Sequence, residues 1–248
     1  GRALDDDQVK YINSPESVVF AKNRTLYALN FARKTIAEKG FAIIVEGYMD
    51  TLAAHEAGIA NVVATMGTAL TADHVKILGR YIRKAVIAFD ADSAGMAAAI
   101  RGGPMFDEAE FDVRIAPMPA GEDPDSFIRK SGAAAFLETI AEAKPIPDYR
   151  ISVIAAKHDI NTKEGRLALL KEVMPVIAEV DKQMERERLI SLVSPYHPNF
   201  SKGIAPAEMH IRQEVEKLRR KTQSGYRKGT EEASEGEKIG QTDLISNE

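Results

Sequence analysis

The sequence predicts an α/β fold, a largely parallel sheet flanked by helices and followed by an α-helical bundle, and three observations predict it. Short apolar runs recur at Phe41–Val45 and Lys84–Phe89, and shorter strand-like stretches lie at Asn61–Thr65 and Phe111–Pro117. Their brevity and their Ile and Val content suit strands covered on both faces, the usual state in a parallel sheet. Stretches of helical character separate them, as parallel strands with crossover connections require. From Ala133 onward the strand signal stops and apolar residues recur only at helical spacing.

Taken in order, residues 1–16 are polar and expected to be extended, with Ser14 as cap and Pro15 in the first turn of a helix. Leu26, Leu29, Phe31 and Ile36 then recur at near-helical spacing through Glu38, and Gly40 is placed to stop that helix. The first strand runs straight into Glu46. Gly47 permits a tight turn there, and a helix from Tyr48 to Ala57 carries Asp50 in its first turn. Asn61–Thr65 is the second strand, with Gly67 and Thr68 in its exit loop. Thr71 caps a helix expected over Ala72–Tyr81, whose leading N–H groups suit a phosphate as well as they suit an ordinary turn.

The third run ends in Asp90 and Asp92, before a helix reaching Ile100. The fourth precedes the acidic string Glu122–Asp125, GEDPD. Thereafter Phe136, Ile140, Tyr149, Val153, Ile154, Leu167, Leu170, Val173 and Ile177 mark helices separated by Pro145, Pro147, Asn161 and Pro175, a bundle expected to buttress the sheet. His158 reads as a surface residue beside Asp159. The basic string ending at Lys221 reads as a solvated helix end. Beyond Thr222 the composition turns to Gly, Ser, Glu and Lys, and disorder is expected. The divisions are therefore 1–40, 41–131, 132–220 and 221–248.

In an open α/β sheet, ligands bind in the crevice outside the carboxyl ends of the strands, so acids gathered there have a candidate purpose. Any one of them has an ordinary explanation: Asp50 complements its helix dipole, and Asp92 caps the helix after it. Three clusters in strand register are harder to dismiss, because Glu46, Asp90, Asp92 and Asp125 would repel one another unless a cation lay between them. Oxygen donors suit Mg²⁺ or Mn²⁺, and a chain with no cysteine and no paired-histidine spacing offers nothing for zinc.

Composition bounds the rest. At 248 residues the chain can bury a substantial core. It lacks cysteine, which excludes a disulfide framework, and no apolar run approaches the ~20 residues of a membrane span. The formal net charge is −4, to which residues 231–248 contribute six acids against one lysine.

The strings EGYMD, FDADSAG and GEDPD resemble the Toprim domain. ATMGTAL at Ala64–Leu70, KYINSPE at Lys10–Glu16 and GEDPDSFIRKSG at Gly121–Gly132 narrow the resemblance to bacterial DnaG-type DNA primases, clearly over residues 1–132 and more loosely to about residue 190. That resemblance implies cytoplasmic synthesis of short RNA primers on single-stranded DNA by metal-dependent nucleotidyl transfer, in bacterial or phage replication. It implies one or two Mg²⁺ or Mn²⁺ ions on Glu46, Asp90, Asp92 and Asp125, with Asp50 and Asp123 as outer ligands. Glu46, Asp90 and Asp92 are then the catalytic acids, and Glu46 is either a ligand or the base for the primer 3′-hydroxyl. Lys10, Lys22, Gly67 and Thr68 become contacts for ribonucleoside triphosphates or template phosphates. Zinc is expected only in an amino-terminal module absent here, the replicative helicase is expected to bind through an absent carboxyl-terminal domain, and the chain is expected to be monomeric, with no membrane contact. Because the family's basic groove belongs to the upstream part of the core, the 248 residues alone are expected to hold single-stranded DNA weakly. Two other classes stay open: a Toprim nuclease or topoisomerase, with Tyr48 and Tyr81 the tyrosines nearest the site, and a non-catalytic binding module.

Overall fold

The structure, a computed structural model, describes residues 15–18, 20–65, 68, 70–90 and 94–221. The described residues form two compact units, divided between Tyr149 and Arg150.

In the first unit, strands β1 (Ala42–Val45), β2 (Val62–Ala64), β3 (Lys84–Ile87) and β4 (Asp112–Ile115) lie side by side in parallel in the order β2-β1-β3-β4, and a two-residue β5 (Lys144–Pro145) adds an antiparallel edge beside β4. Every residue of β1 and β2 is buried, for the reason the unbroken apolar runs announced: alternate side chains enter opposite cores. Ala42, Ile44, Val63, Ala85, Ile87, Phe89, Val113 and Ile115 point to the side covered by α1 (Leu29–Lys39), α3 (Ala72–Leu78), α4 (Ala94–Arg101) and α5 (Gly103–Glu108). Ile43, Val45, Val62, Ala64, Val86 and Ala88 point to the side covered by α2 (Tyr48–Glu56) and α6 (Pro124–Ala141). Burying an Ile or Val side chain this fully stabilises the fold by about 1.5–3 kcal/mol, so the central strands anchor the unit.

Local signals mostly held. Gly40 ends α1 with φ +73°, a left-handed conformation that costs glycine nothing. Thr71 caps α3 by accepting from the His74 N–H. Others did not. Ser14 lies outside the described residues, and Pro15 and Glu16 are not helical; Ser17 and Phe20 instead exchange backbone hydrogen bonds across a tight turn. The helix expected to reach Tyr81 stops at Leu78, where Gly79 caps it. Phe31, counted among the apolar face of α1, is 76% exposed, and the helix packs through Ala32 and Ile36 instead. The helix expected to reach Ile100 is α4, and a further helix that the sequence did not announce, α5, follows it after Gly102 with Pro104 in its first turn. α6 begins at Pro124, earlier than the helical region was expected to start, and its chain turns at Gly132, φ +85°. The short β5 carried no apolar pattern to read.

The unit boundary falls within α7 (Ile146–Ala155). The second unit holds α8 (Lys163–Ala178), α9 (Gln183–Val193) and α10 (204–221) around Leu169, Leu170, Val173, Ile177, Leu189, Ile190, Val193, Ile211 and Val215. Pro175, expected to separate helices, lies inside α8. Val153 and Leu167 are exposed rather than in the core, one step off the buried face. His158 lies at the surface, where its Nε2 meets Glu172 at 2.9 Å. Arg219, in the basic string at the end of α10, donates to the Ala178 and Val180 carbonyls and so caps α8, which leaves its guanidinium committed to the bundle. The expected disorder beyond Thr222 concerns residues outside those described.

Candidate active site

Strand order decides where the acids meet. From β1 the chain steps outward to β2, then returns to place β3 on the other flank of β1. The crevice beyond the carboxyl ends of β1 and β3 is therefore the switch point of the sheet, and it is where Glu46 and Asp90 emerge. Glu46 follows Val45, so alternation turns it to the same side as Ile44, toward α4. Gly95 of α4 accommodates it: a Cβ at Gly95 would stand 2.8 Å from Glu46 Oε1 and 3.2 Å from the Phe89 ring. Glu46 Oε1 is accordingly shielded from solvent.

Asp50 holds the floor of the site. It is buried, and its two oxygens accept backbone N–H groups from two different loops, Oδ2 from Gly47 at 3.0 Å and Oδ1 from Asp125 at 3.3 Å. The bond to Asp125 ties the start of α2 to the start of α6, two helices that pack on one face of the sheet. Burial above all, with the charges of Asp123 and Asp90, pushes the Asp50 carboxyl from 3.8 up to about 7, against the two N–H groups that pull it down.

The GEDPD acids arrive on the first turn of α6. Asp123 is its N-cap, accepting from the Ser126 N–H at 2.7 Å. Asp125 pairs through its carboxylate with Arg129, one turn along. Glu122 pairs with Lys130. Among the described residues, Asp50, Asp90 and Asp123 are thus brought close enough to repel, and Asp125 joins them through its backbone. No three carboxylates among the described residues are already gathered as a ligand cluster. Asp92, Gly67 and Lys10 lie outside the described residues.

The donor set nevertheless fits Mg²⁺ or Mn²⁺. It is all carboxylate, Asp50 is buried close enough to Asp123 and Asp90 to feel their charges, and the backbone of Gly95 comes close to Glu46.

Beside it, Thr68 is half-buried and its hydroxyl donates to the Thr65 carbonyl at 2.9 Å. Lys22 is half-buried in a 3₁₀ turn, Lys22–Arg24, which α3 grips from below: His74 Nε2 meets the Lys22 carbonyl at 2.9 Å and the Thr71 hydroxyl donates to the Asn23 carbonyl at 2.6 Å. His74 is fully buried, and burial lowers its pKa. Gly95, Thr65 and His74 were not singled out from sequence. The glycine after DADS and the histidine three residues after a threonine cap were the available signals.

A parallel sheet with acids at the exits of its neighbouring strands β1 and β3, joined by a further acidic turn after β4, matches the Toprim class of domains. The model described as Toprim-like matches residues 43–128, that for the amino-terminal domain of the DNA primase catalytic core matches residues 1–33, and that for the DnaB-helicase binding domain of primase matches residues 147–194. A DNA primase of Clostridium acetobutylicum is 45% identical over 194 residues, 78% of this chain and 32% of the relative. A solved DNA primase domain from Pseudomonas aeruginosa superposes with TM-score 0.63 at 34% identity, over 85% of this chain and 67% of that one. A solved DnaG primase catalytic domain bound to ssDNA superposes with TM-score 0.63 at 34% identity, over 79% of this chain and 63% of that one. The chain belongs to the bacterial DnaG-type DNA primase family. It spans about a third of the length of the curated relatives it matches. The helicase-binding region, expected from sequence in an absent carboxyl-terminal domain, is instead matched within this chain, over the α7 to α9 segment read as a buttress.

Proposed function

We propose that this chain supplies the metal-binding half of a DNA primase active site, which joins ribonucleotides into short RNA primers on a single-stranded DNA template. The observation that carries the reading is the placement of Glu46 and Asp90 on the two strands that flank the switch point, with Asp50 buried between their loops and that of Asp125. Glu46, Asp90, Asp92 and Asp125 would hold one or two Mg²⁺ or Mn²⁺ ions, with Asp50 and Asp123 behind them. Such ions, when bound, neutralise charge that develops on the attacking and leaving oxygens.

The protein's own groups do the positioning. Asp50 fixes the separation of the α2 and α6 starts through its two accepted hydrogen bonds, so the acids on both loops keep their spacing. Gly95 sets how far Glu46 can swing toward α4. His74 and Thr71 hold the turn bearing Lys22 at one flank, where its ammonium would meet a nucleotide phosphate, joined by Lys10 and the loop of Gly67 and Thr68. Segment 147–194 would contact the replicative helicase, which fits its match to the helicase-binding model. The protein would act as a monomer in the cytoplasm; no described helix is long and apolar enough to cross a membrane.

Incubation with a single-stranded template, ribonucleoside triphosphates and Mn²⁺, with and without the upstream core segment of a relative, separates the classes. Primer synthesis supports the reading, template cleavage would make the protein a nuclease, and neither product under both conditions would leave a binding module.

A further inference from the structure

Thr65 is the first residue beyond β2 and is fully buried at the carboxyl edge of the sheet. Its backbone is committed on both sides: the N–H donates to the Val45 carbonyl at 3.2 Å, and the carbonyl accepts from the Thr68 hydroxyl at 2.9 Å. Its own hydroxyl, shielded from solvent, has no hydrogen-bond partner. A buried polar group left unmatched destabilises a fold, so one held this rigidly at a strand exit calls for an explanation.

The register supplies it. Val45 pairs with Ala64, so continuing by one residue sets Thr65 beside Glu46 on the neighbouring strand, at the inter-strand spacing of roughly 4.8 Å. Alternation sends both side chains to the same face, since Ile44 and Val63, two residues earlier on each strand, share the core under α3 and α4. Gly95 bounds Glu46 from the α4 side, while Thr65 is its neighbour across the ladder. We propose that the Thr65 hydroxyl is a positioning group for Glu46: it donates to one carboxylate oxygen when the site is loaded and so presents the other oxygen to the divalent cation. Thr65 touches neither nucleotide nor cation. The role rests on the metal-site reading above, and the test separates the two.

The substitution Thr65→Val keeps shape and removes only the hydroxyl, whereas Thr65→Ser keeps the hydroxyl. Each variant is compared with the unmodified chain by calorimetry, as melting temperature in EDTA and as Mn²⁺ affinity by titration. The expected result is opposed signs for Thr65→Val, a melting temperature equal to or above that of the parent and Mn²⁺ binding weakened about tenfold, with Thr65→Ser close to the parent in both. A Thr65→Val protein that binds Mn²⁺ as tightly as the parent overturns the positioning role and leaves the metal site standing. A Thr65→Val protein that melts well below the parent in EDTA also overturns it, because the hydroxyl would then be serving the fold. A parent chain that binds no Mn²⁺ overturns the metal-site reading itself, and the role of Thr65 with it.

Discussion

Asp50→Asn should stabilise the metal-free protein, and only above the acid range. The folded-state pKa of about 7 stands roughly three units above the ordinary 3.8, and at about 1.36 kcal/mol per unit the ionised carboxylate costs the fold about 4 kcal/mol at alkaline pH. Asparagine removes that cost but has one acceptor oxygen for two N–H donors, Gly47 and Asp125, and the orphaned donor returns about 1–2 kcal/mol. The net expected gain is about 2–3 kcal/mol. The sign follows from proton binding. Below pH 4 the carboxyl is protonated in both states and carries no penalty; as pH rises toward 7 the unfolded chain ionises while the folded one resists, so stability falls, and above 7 the whole penalty is present. In a unit of this size the gain corresponds to about 5–10 °C in melting temperature at pH 8, shrinking to zero or reversing near pH 4. Calorimetry in EDTA at pH 4, 6 and 8 measures it. A difference between parent and variant that does not change with pH would refute the attribution of the raised pKa to burial and to the neighbouring acids.

Asp90→Asn and Glu46→Gln should abolish primer synthesis while leaving the metal-free fold intact or slightly more stable, because each relieves repulsion among the acids; near-normal nucleotide transfer by either variant in an active preparation would contradict the site assignment. Gly95→Ala places a methyl 2.8 Å from Glu46 Oε1, and since that atom ends a flexible side chain, the carboxylate should shift with only a small change in melting temperature while Mn²⁺ affinity falls, by titration calorimetry, at least tenfold. The lowered pKa of His74 means that its contribution to stability is present above the ordinary histidine range and is lost as pH falls through the lowered folded value. The acid-induced loss of stability, followed by denaturant midpoint between pH 7 and 5, should therefore be shallower in His74→Gln, which cannot be protonated; an unchanged slope would locate that titration elsewhere.

Whatever is encoded by neighbours in the chain could be read from the chain. The runs around Ile44 and Val86 are apolar without interruption because both faces of their strands are covered, and a glutamate or aspartate directly after such a run must emerge at the strand end, so the position of Glu46 and Asp90 beyond β1 and β3 was legible. Gly40 and Thr71 were legible because a helix end requires a left-handed residue or a side-chain acceptor at a fixed offset. The string EGYMD, with its companions, was enough to suggest the family. Tertiary structure alone decided which acids meet and what holds them: the order β2-β1-β3-β4, the bond from Asp125 to Asp50 across 75 positions, and the grip of His74 on Lys22 across 52. The close approach of Gly95 to Glu46 belongs to the same group. These contacts join residues whose separation along the chain has no bearing on their separation in space, so no local period or cap can announce them; the sheet had to be assembled before they could meet.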